Sequence, residues 1–213
     1  MTIRRTATRI AVTAMAAVLA TTALGAPGAQ AHTQTGTRSL AAVLTADTGG
    51  FDHNSRDFDV LTAAVLAVLQ AKPDSPVKVL ADGTVALTAF IPTDSAFQRL
   101  AREVTHQRRT PSESAAFSTV AGLGIDTVEA VLLYHVVPGA TITRKAALGA
   151  DNAVLTTAGG GTITVDVRRW HRVYLIDADT NDRNPRVVKF DINKGNLQIA
   201  HGIDRVLRPV DLP

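Results

Sequence analysis

The stretch TAFIPTDSAF, residues Thr88–Phe97, decides the fold of this 213-residue chain. The apolar residues before its proline are typical of a buried strand, and the proline ends that strand because it has no N–H to donate. Thr93 comes next and is a preferred N-cap, while Asp94 suits the positive end of a helix dipole. The stretch therefore predicts a strand at Val85–Ile91, followed directly by a helix over Ser95–Val104.

The segments that precede this stretch have mainly helical spacing. Ser39 predicts the cap of a first short helix. Asp57 predicts the cap of an amphipathic helix, in which Phe58 and Leu61 begin a repeat of three- and four-residue steps. Val77–Leu80 is short and apolar and lies before an Asp-Gly turn, so it predicts a short strand.

The segments that follow are first helical and then extended. Asp126 and Glu129 have the spacing of a capping box, which predicts a helix. Gly159-Gly160-Gly161 predicts the turn of a hairpin. Helices followed by strands favour an α+β domain. The strands predicted after the helices are Val154–Thr157, Thr162–Val167, Val173–Asp177, Val187–Ile192 and Ile199–Leu207.

The start of the chain has the features of a secretory signal peptide. A basic beginning with three arginines is followed by the uncharged apolar run Ile10–Leu24 and by the small-x-small pattern at Ala29-Gln30-Ala31. We therefore predict a signal peptide over residues 1–31, a disordered lead-in over residues 32–38, and one domain over residues 39–213.

Charge and cysteine content narrow the possible partners. The chain has 22 Lys and Arg against 19 Asp and Glu, and three of its arginines lie in the predicted signal peptide, so 19 basic residues face 19 acidic ones in the rest. A neutral domain gives no support for a nucleic-acid partner. With no cysteine, the domain has neither a disulfide nor an acylated anchor. We expect a secreted monomer that is extracellular or loosely wall-associated and has no membrane anchor.

Three segments, in this order, resemble the motifs of the fasciclin (FAS1) family. Thr88–Phe97 is similar to the first box of the family, and Tyr134–Gly139 (YHVVPG) is similar to the segment between the boxes. His201–Pro209 (HGIDRVLRP) is similar to the second box, although Gly202 stands where a branched apolar residue is usual. The resemblance covers about Ser39 to Pro209.

This resemblance implies a fold and a set of structural residues. The fold is an α+β FAS1 fold, a β-strand wedge or sandwich flanked by several α-helices in the N-terminal half, with the two boxes as neighbouring central strands. The structural motif residues carried over are Thr93, Asp94, His201 and Asp204.

The resemblance also implies candidate binding residues. In animal relatives the Tyr-His segment, here Tyr134 and His135, has been implicated in integrin adhesion, and adhesive members carry an Asp-Ile pair like Asp191-Ile192. The alternative for His135 is a structural one. A buried imidazole needs a hydrogen-bond partner, and the family implies the polar residue of the first box, Thr93 or Asp94. For Asp191 the alternative is an ordinary residue at a strand end.

Two further motifs carry charge. Asp177, Asp179 and Asn181 resemble the start of a calcium loop, but the sixth and twelfth positions lack the required Gly and Glu, so a solvated loop is favoured. Arg168–Arg172 (RRWHR) has the composition of a site for an anionic polysaccharide or phosphate. Its alternative is a turn with solvated arginines and with Trp170 capping the core.

The sequence offers no constellation for catalysis or for a resident metal. It has no cysteine nucleophile, no G-x-S-x-G motif, no H-x-x-x-H spacing and no phosphate-binding glycine motif. We therefore predict no cofactor, no metal ligand and no enzyme activity. The expected function is a non-catalytic binding or cell-adhesion module for an extracellular protein, cell-wall polymer or matrix. The alternative is a secreted carrier that binds a lipid or other small apolar ligand in a cleft.

Overall fold

The structure is a computed structural model that describes residues 35–210. The predicted signal peptide and residues 32–34 of the predicted lead-in lie outside this range. The helices, numbered α1 to α6 in chain order, are Leu40–Leu44, Asp59–Ala71, Asp94–Val104, Glu113–Gly122, Ile125–Tyr134 and Arg144–Leu148. The strands, numbered β1 to β7, are Leu87–Pro92, Val136–Pro138, Val154–Thr156, Thr162–Arg168, Arg172–Ile176, Val187–Ile192 and Gln198–Ile203.

Two sheets form the β part of the domain. The first has the strand order β2-β1-β7-β6, in which β1 and β7 are parallel and the outer pairs are antiparallel. The second is the antiparallel sheet β3-β4-β5, and the glycine triplet forms the turn of its β3–β4 hairpin. The predicted α+β class is therefore observed, and the two boxes contribute the neighbouring central strands β1 and β7, as predicted.

Strand β1 is buried along its whole length because its two faces serve two cores. Leu87, Ala89 and Ile91 face a core built with the helices, whereas Phe90 faces a core shared with the second sheet. This alternation is the period of two that a strand imposes on its side chains. A central strand covered on both faces needs apolar or internally bonded residues at every position, which explains the composition of the first box.

Several predicted elements differ from the observed ones. The predicted strand Val77–Leu80 lies within a 3₁₀-helix, Pro76–Ala81, which starts with a proline at its first position and is capped by Ser75. Proline fixes φ near the helical value, so it favours this start. Helices α4 and α6 were not predicted, although Ser112 and Thr143 cap them through their side chains.

Part of the predicted disordered lead-in is ordered. The N–H of Gly36 donates to the carbonyl of Gly195 at 2.7 Å, and the N–H of Leu197 donates to the carbonyl of Gly36 at 2.9 Å. The N–H of Arg38 donates to the side chain of Asn196 at 2.9 Å. The turn before β7 therefore offers this segment backbone partners that composition alone does not reveal.

Helix length and hydropathy decide whether a segment of residues 35–210 could cross a membrane. No single helix there is both long and apolar enough to cross a membrane. Helices α4 and α5 meet the length and composition criteria only together, and the break between them bends the pair by 106°.

Candidate functional site

The three motif segments meet in space. The N–H of Thr93 donates to the carbonyl of Ile203 at 3.1 Å, and the N–H of Phe90 donates to the carbonyl of His135 at 2.9 Å. Phe90, Tyr134 and Ile203 belong to one apolar core. The contacts between the three motif segments thus hold the parts of the fold together.

His135 is a structural residue with both ring nitrogens occupied. Its Nδ1 lies 2.7 Å from the carbonyl oxygen of Val131, and its Nε2 accepts the N–H of Leu207 at 2.9 Å. These partners require a neutral ring with the proton on Nδ1, and burial lowers the pKa of His135 to about 4. The predicted hydrogen bond to Thr93 or Asp94 is wrong, because the chain after β7 passes over the ring and supplies the partner.

Tyr134 is enclosed in the same way. Its hydroxyl donates to the carbonyl of Thr162 at 2.7 Å and accepts the N–H of Ala178 at 3.2 Å. A Cβ on Gly161 would lie 2.6 Å from the ring, so the glycine turn makes room for it. Only 2% of Tyr134 and 4% of His135 is exposed, and in this conformation a partner cannot reach either side chain directly.

His201 and Asp191 form a second group of internal hydrogen bonds between segments of the chain. Nε2 of His201 lies 2.7 Å from the carbonyl oxygen of Ile142, and its Nδ1 accepts the N–H of Asp191 at 3.2 Å. One carboxylate oxygen of Asp191 accepts the N–H of Arg144 at 2.6 Å and the other lies 3.4 Å from the ammonium of Lys194. Ile192 packs partly buried against the helix-side core. The Asp191-Ile192 pair thus already has internal partners.

Asp204 also has an internal role. Its Oδ1 accepts the N–H of Arg186 at 2.8 Å, and its Oδ2 lies 3.5 Å from the guanidinium of the same residue. These contacts hold the second box to the segment that enters β6.

Asp94 caps a helix other than its own. Its Oδ2 accepts the N–H of Asp59 at 3.1 Å and its Oδ1 accepts the N–H of Val60 at 2.8 Å, which are the first two N–H groups of α2. Phe58 occupies the N-cap position of α2, and its side chain has no hydrogen-bond acceptor for these N–H groups. The prediction that Asp57 caps α2 is therefore wrong, because a residue 35 positions downstream of Asp59 performs that task.

Asp94 belongs to a buried cluster of carboxyl groups. Asp59, Asp94 and Glu113 each offer an oxygen atom within 4.8 Å of the others, and all three are buried. Burial and a hydrogen bond with the neighbouring Asp57 carboxyl raise the pKa of Asp94 to about 8. Burial, followed by repulsion from Asp57, also raises the pKa of Asp59 and of Glu113.

The loop that resembles a calcium site is bound to an internal arginine. Asp177 accepts the N–H of Arg208 at 2.8 Å, and Asp179 lies 3.2 Å from the guanidinium of Arg208. Asp182, the sixth position of that loop, pairs with Arg205 at 3.2 Å. Two guanidinium groups thus supply the positive charge that a calcium ion would bring.

A cavity lies between α1, α2 and the first sheet. Its volume is about 430 Å³. Asp47, Asn54, Arg56, Asp57 and Lys189 provide polar lining. The apolar part of the lining includes Leu40, Val43, Leu44, Leu61, Ala89 and Ile91.

The tip of the β4–β5 hairpin is the most exposed aromatic feature of the described surface. Trp170 is 86% exposed, so the expectation that it caps the core is wrong. Trp170 and His171 both have positive φ angles, 66° and 56°, which is uncommon for bulky residues. The tight turn that joins β4 to β5 places these residues outward, with exposed Arg169 and Arg172 beside them.

An arginine-rich groove is lined in part by the end of this hairpin next to the turn. It has a volume of about 600 Å³ and is shared by β4, β5 and the loop before β6. Arg168 stacks on Tyr174 at 4.2 Å, which places a cation at the junction of tip and groove. Two aspartates, Asp182 and Asp204, oppose the cations. The arginines that line the groove are Arg99, Arg168, Arg183, Arg186 and Arg205.

Sequence reasoning missed both the carboxyl cluster and the groove. Asp59, Asp94 and Glu113 each stand at the first position of a helix, and this shared position was the available signal. No spacing rule links three helix starts that are tens of residues apart. Arg99 and Arg183 are likewise distant in sequence and become neighbours only through the fold.

Comparison with known proteins agrees with this architecture. A family model described as the fasciclin domain matches residues 61–209. The fold is similar to that of a FAS1 domain pair from the insect cell adhesion molecule fasciclin I, with 16% sequence identity and a TM-score of 0.54. The match covers 80% of this chain and 50% of the insect chain, so this chain spans half the length of that domain pair. No curated protein matches the sequence significantly.

Proposed function

Because this chain belongs to the fasciclin family, we propose that it is a non-catalytic binding module that adheres to an anionic polymer of the cell wall or matrix. The observation that carries the proposal is the exposed Trp170 together with a groove of five arginines and two aspartates, which Arg168 of the same hairpin lines. The motif residues Tyr134 and His135 support a binding site elsewhere on the surface, since their side chains form hydrogen bonds in the interior.

The chemistry of the surface favours a charged carbohydrate. An exposed indole offers a flat apolar face, on which a sugar ring can stack. Arginine presents a planar fork of donors that matches carboxylate, sulfate or phosphate groups in a bidentate way. Arg99 and Arg183 are both exposed in the groove, so their guanidinium groups are accessible to such a ligand.

Co-sedimentation of the purified protein with isolated bacterial cell walls, and elution from a sulfated-dextran resin, test this proposal. We expect Trp170→Ala and the double variant Arg99→Ala/Arg183→Ala each to weaken retention about tenfold, which corresponds to about 1.4 kcal/mol. Added salt should reduce binding of the wild type, because the groove contacts are exposed to screening.

The matched controls are Val154→Ala, an exposed apolar residue that is 62% exposed on β3, and Arg108→Ala, an exposed arginine outside the groove. Both should bind as the wild type does. Retention on neutral dextran equal to that on sulfated dextran, or unchanged retention of the two test variants, would refute the proposal. Binding to a wall protein alone would also refute it and would move the contact elsewhere.

The cavity supports a second candidate, a carrier for a small apolar ligand. About 430 Å³ lies within the usual range of roughly 300–1,000 Å³ for ligand pockets. Native mass spectrometry of the purified protein should then detect a bound lipid that organic solvent removes. Val43→Phe, at the half-buried rim, should reduce that occupancy, whereas Val104→Phe, outside the cavity, should not. A protein that carries no extractable lipid would remove this candidate.

A further inference from the structure

Three helices begin at the same place in the interior, and each begins with an acidic residue. Asp59 starts α2, Asp94 starts α3 and Glu113 starts α4. Their relative exposures are 8%, 0% and 3%. A carboxylate so deeply buried has lost nearly all of its hydration, so it requires compensation from within the molecule or from a bound ion.

The hydrogen bonds within the protein leave this need unmet. Oδ2 of Asp59 and Oε2 of Glu113 are buried and have no hydrogen-bond partner in the described part of the chain. The same is true of Oδ1 of Asp57, the next carboxyl group toward the surface. Each unsatisfied buried polar atom costs about 1–3 kcal/mol, and more where the group is charged. Three such atoms in one place are a large unrelieved cost for a small domain.

The helix dipoles offset only part of the charge. Each helix N-terminus is equivalent to roughly +0.5 of an elementary charge, so three of them supply about +1.5. With their protons displaced by a bound cation, the three carboxylates of Asp59, Asp94 and Glu113 carry −3, of which the dipoles leave about −1.5 for the cation to balance.

We propose that Asp59, Asp94 and Glu113 bind one hard divalent cation, with Ca²⁺ as the best fit, and that this ion ties the starts of α2, α3 and α4 together. All three donors are carboxylate oxygens, which suit Ca²⁺, Mg²⁺ or Mn²⁺ and not softer metals. Ca²⁺ bonds oxygen at about 2.3–2.6 Å, so its ligands lie up to about 5 Å apart. The separations of at most 4.8 Å within the cluster meet this limit.

A path for the ion leads in from the surface. Asp52 is exposed, Asp57 is half-buried, and together with Asp59 they form a second group whose oxygens lie within 4.8 Å of one another. Asp57 and Asp59 also line the cavity beside α2. Carboxylates therefore run without a gap from solvent to the buried cluster. This site is separate from the Asp177–Asn181 loop, in which arginines already neutralise the acidic groups.

The test measures binding and stability with the ion itself. The purified protein is stripped with EDTA, titrated with CaCl₂, MgCl₂ or MnCl₂ by calorimetry, and melted with and without each salt at millimolar concentration. We expect one ion per chain and a melting temperature several degrees higher with the bound ion, because an ion that binds only the folded state stabilises it. Glu113→Gln, which keeps shape and removes one charged ligand, should weaken binding at least tenfold.

Asp59→Asn should weaken binding in the same way and covers the case in which Glu113→Gln fails to fold. Asp74→Asn is the control, since the side chain of Asp74 is fully exposed and outside the cluster. It should bind the ion as the wild type does. The proposal is overturned if none of the three salts binds or shifts the melting temperature, or if both cluster variants respond like the wild type.

Discussion

Two buried polar regions of this domain are built on opposite principles. In the imidazole region, His135 and His201 place all four ring nitrogens within 3.2 Å of backbone partners. In the carboxyl region, Asp59 and Glu113 each keep a buried oxygen that has no hydrogen-bond partner within residues 35–210. We call the imidazole region closed, because its polar atoms already have partners within the fold. We call the carboxyl region open, because its unpartnered oxygens are able to bind a ligand.

This difference separates structure from function better than residue type does. The sequence predicts binding at Tyr134 and His135 because they lie in a recognisable motif, whereas Asp59, Asp94 and Glu113 share no motif. In the structure the two motif side chains have internal partners. The histidines lock strands to helices, while three acids that no motif joins form the open region.

The largest effect should come from breaking the closed region. His135→Ala leaves the carbonyl of Val131 and the N–H of Leu207 without partners and opens a cavity between them. We expect a loss of about 3 kcal/mol in the free energy of unfolding, measured by urea denaturation. His53→Ala, at an exposed position, should change it by less than about 0.5 kcal/mol. Equal effects of the two variants would show that the imidazole network is not what holds the boxes together.

Acid should open the closed region without any mutation. Burial lowers the pKa of His135 from 6.5 to about 4, so between these pH values the unfolded chain binds the proton more strongly than the folded one. The contribution of His135 to stability is therefore complete above pH 6.5 and falls by about 3 kcal/mol as the pH drops to 4. In His135→Gln this part of the pH dependence should disappear, while the part due to His201 remains. A variant with the same pH slope as the wild type would contradict this assignment.

The fold was predictable where local patterns and tertiary demands agree. The first box predicts β1 and α3 because the proline and the apolar alternation act within ten residues, although Thr93 occupies the N-cap position of α3 without a capping hydrogen bond from its side chain. The failures arise where a distant residue decides the outcome. The sequence predicts Asp57 as the cap of α2, but Asp94 accepts those N–H groups instead. It also predicts a strand at Val77–Leu80, whereas Pro76 and Ser75 favour the start of a 3₁₀-helix. Local propensity cannot anticipate a partner that only the fold supplies.

The open region should respond to neutralisation with the opposite sign. In EDTA, Glu113→Gln removes one of several buried like charges, and burial and repulsion already raise the pKa of Glu113. We expect this variant to be about 1 kcal/mol more stable than the wild type by urea denaturation in EDTA, because breaking up an uncompensated buried charge cluster relieves repulsion. A loss of stability like that of His135→Ala would show that the carboxyl region is closed after all.

The smallest effect tests whether the same reasoning extends to the surface. The hairpin tip holds Trp170 at φ 66°, a backbone conformation that costs a non-glycine residue about 1 kcal/mol and that glycine adopts freely. Because the side chain is 86% exposed, its packing contacts are few and offset little of this strain energy. Trp170→Gly should therefore leave the melting temperature unchanged or raise it slightly, while retention on sulfated dextran falls about tenfold. This result would show that binding requires the strained Trp170 and that the fold does not. The tip would then resemble the carboxyl region, as a part of the molecule that serves a ligand. A clear drop in melting temperature would instead make Trp170 a structural residue and remove it from the proposed binding surface.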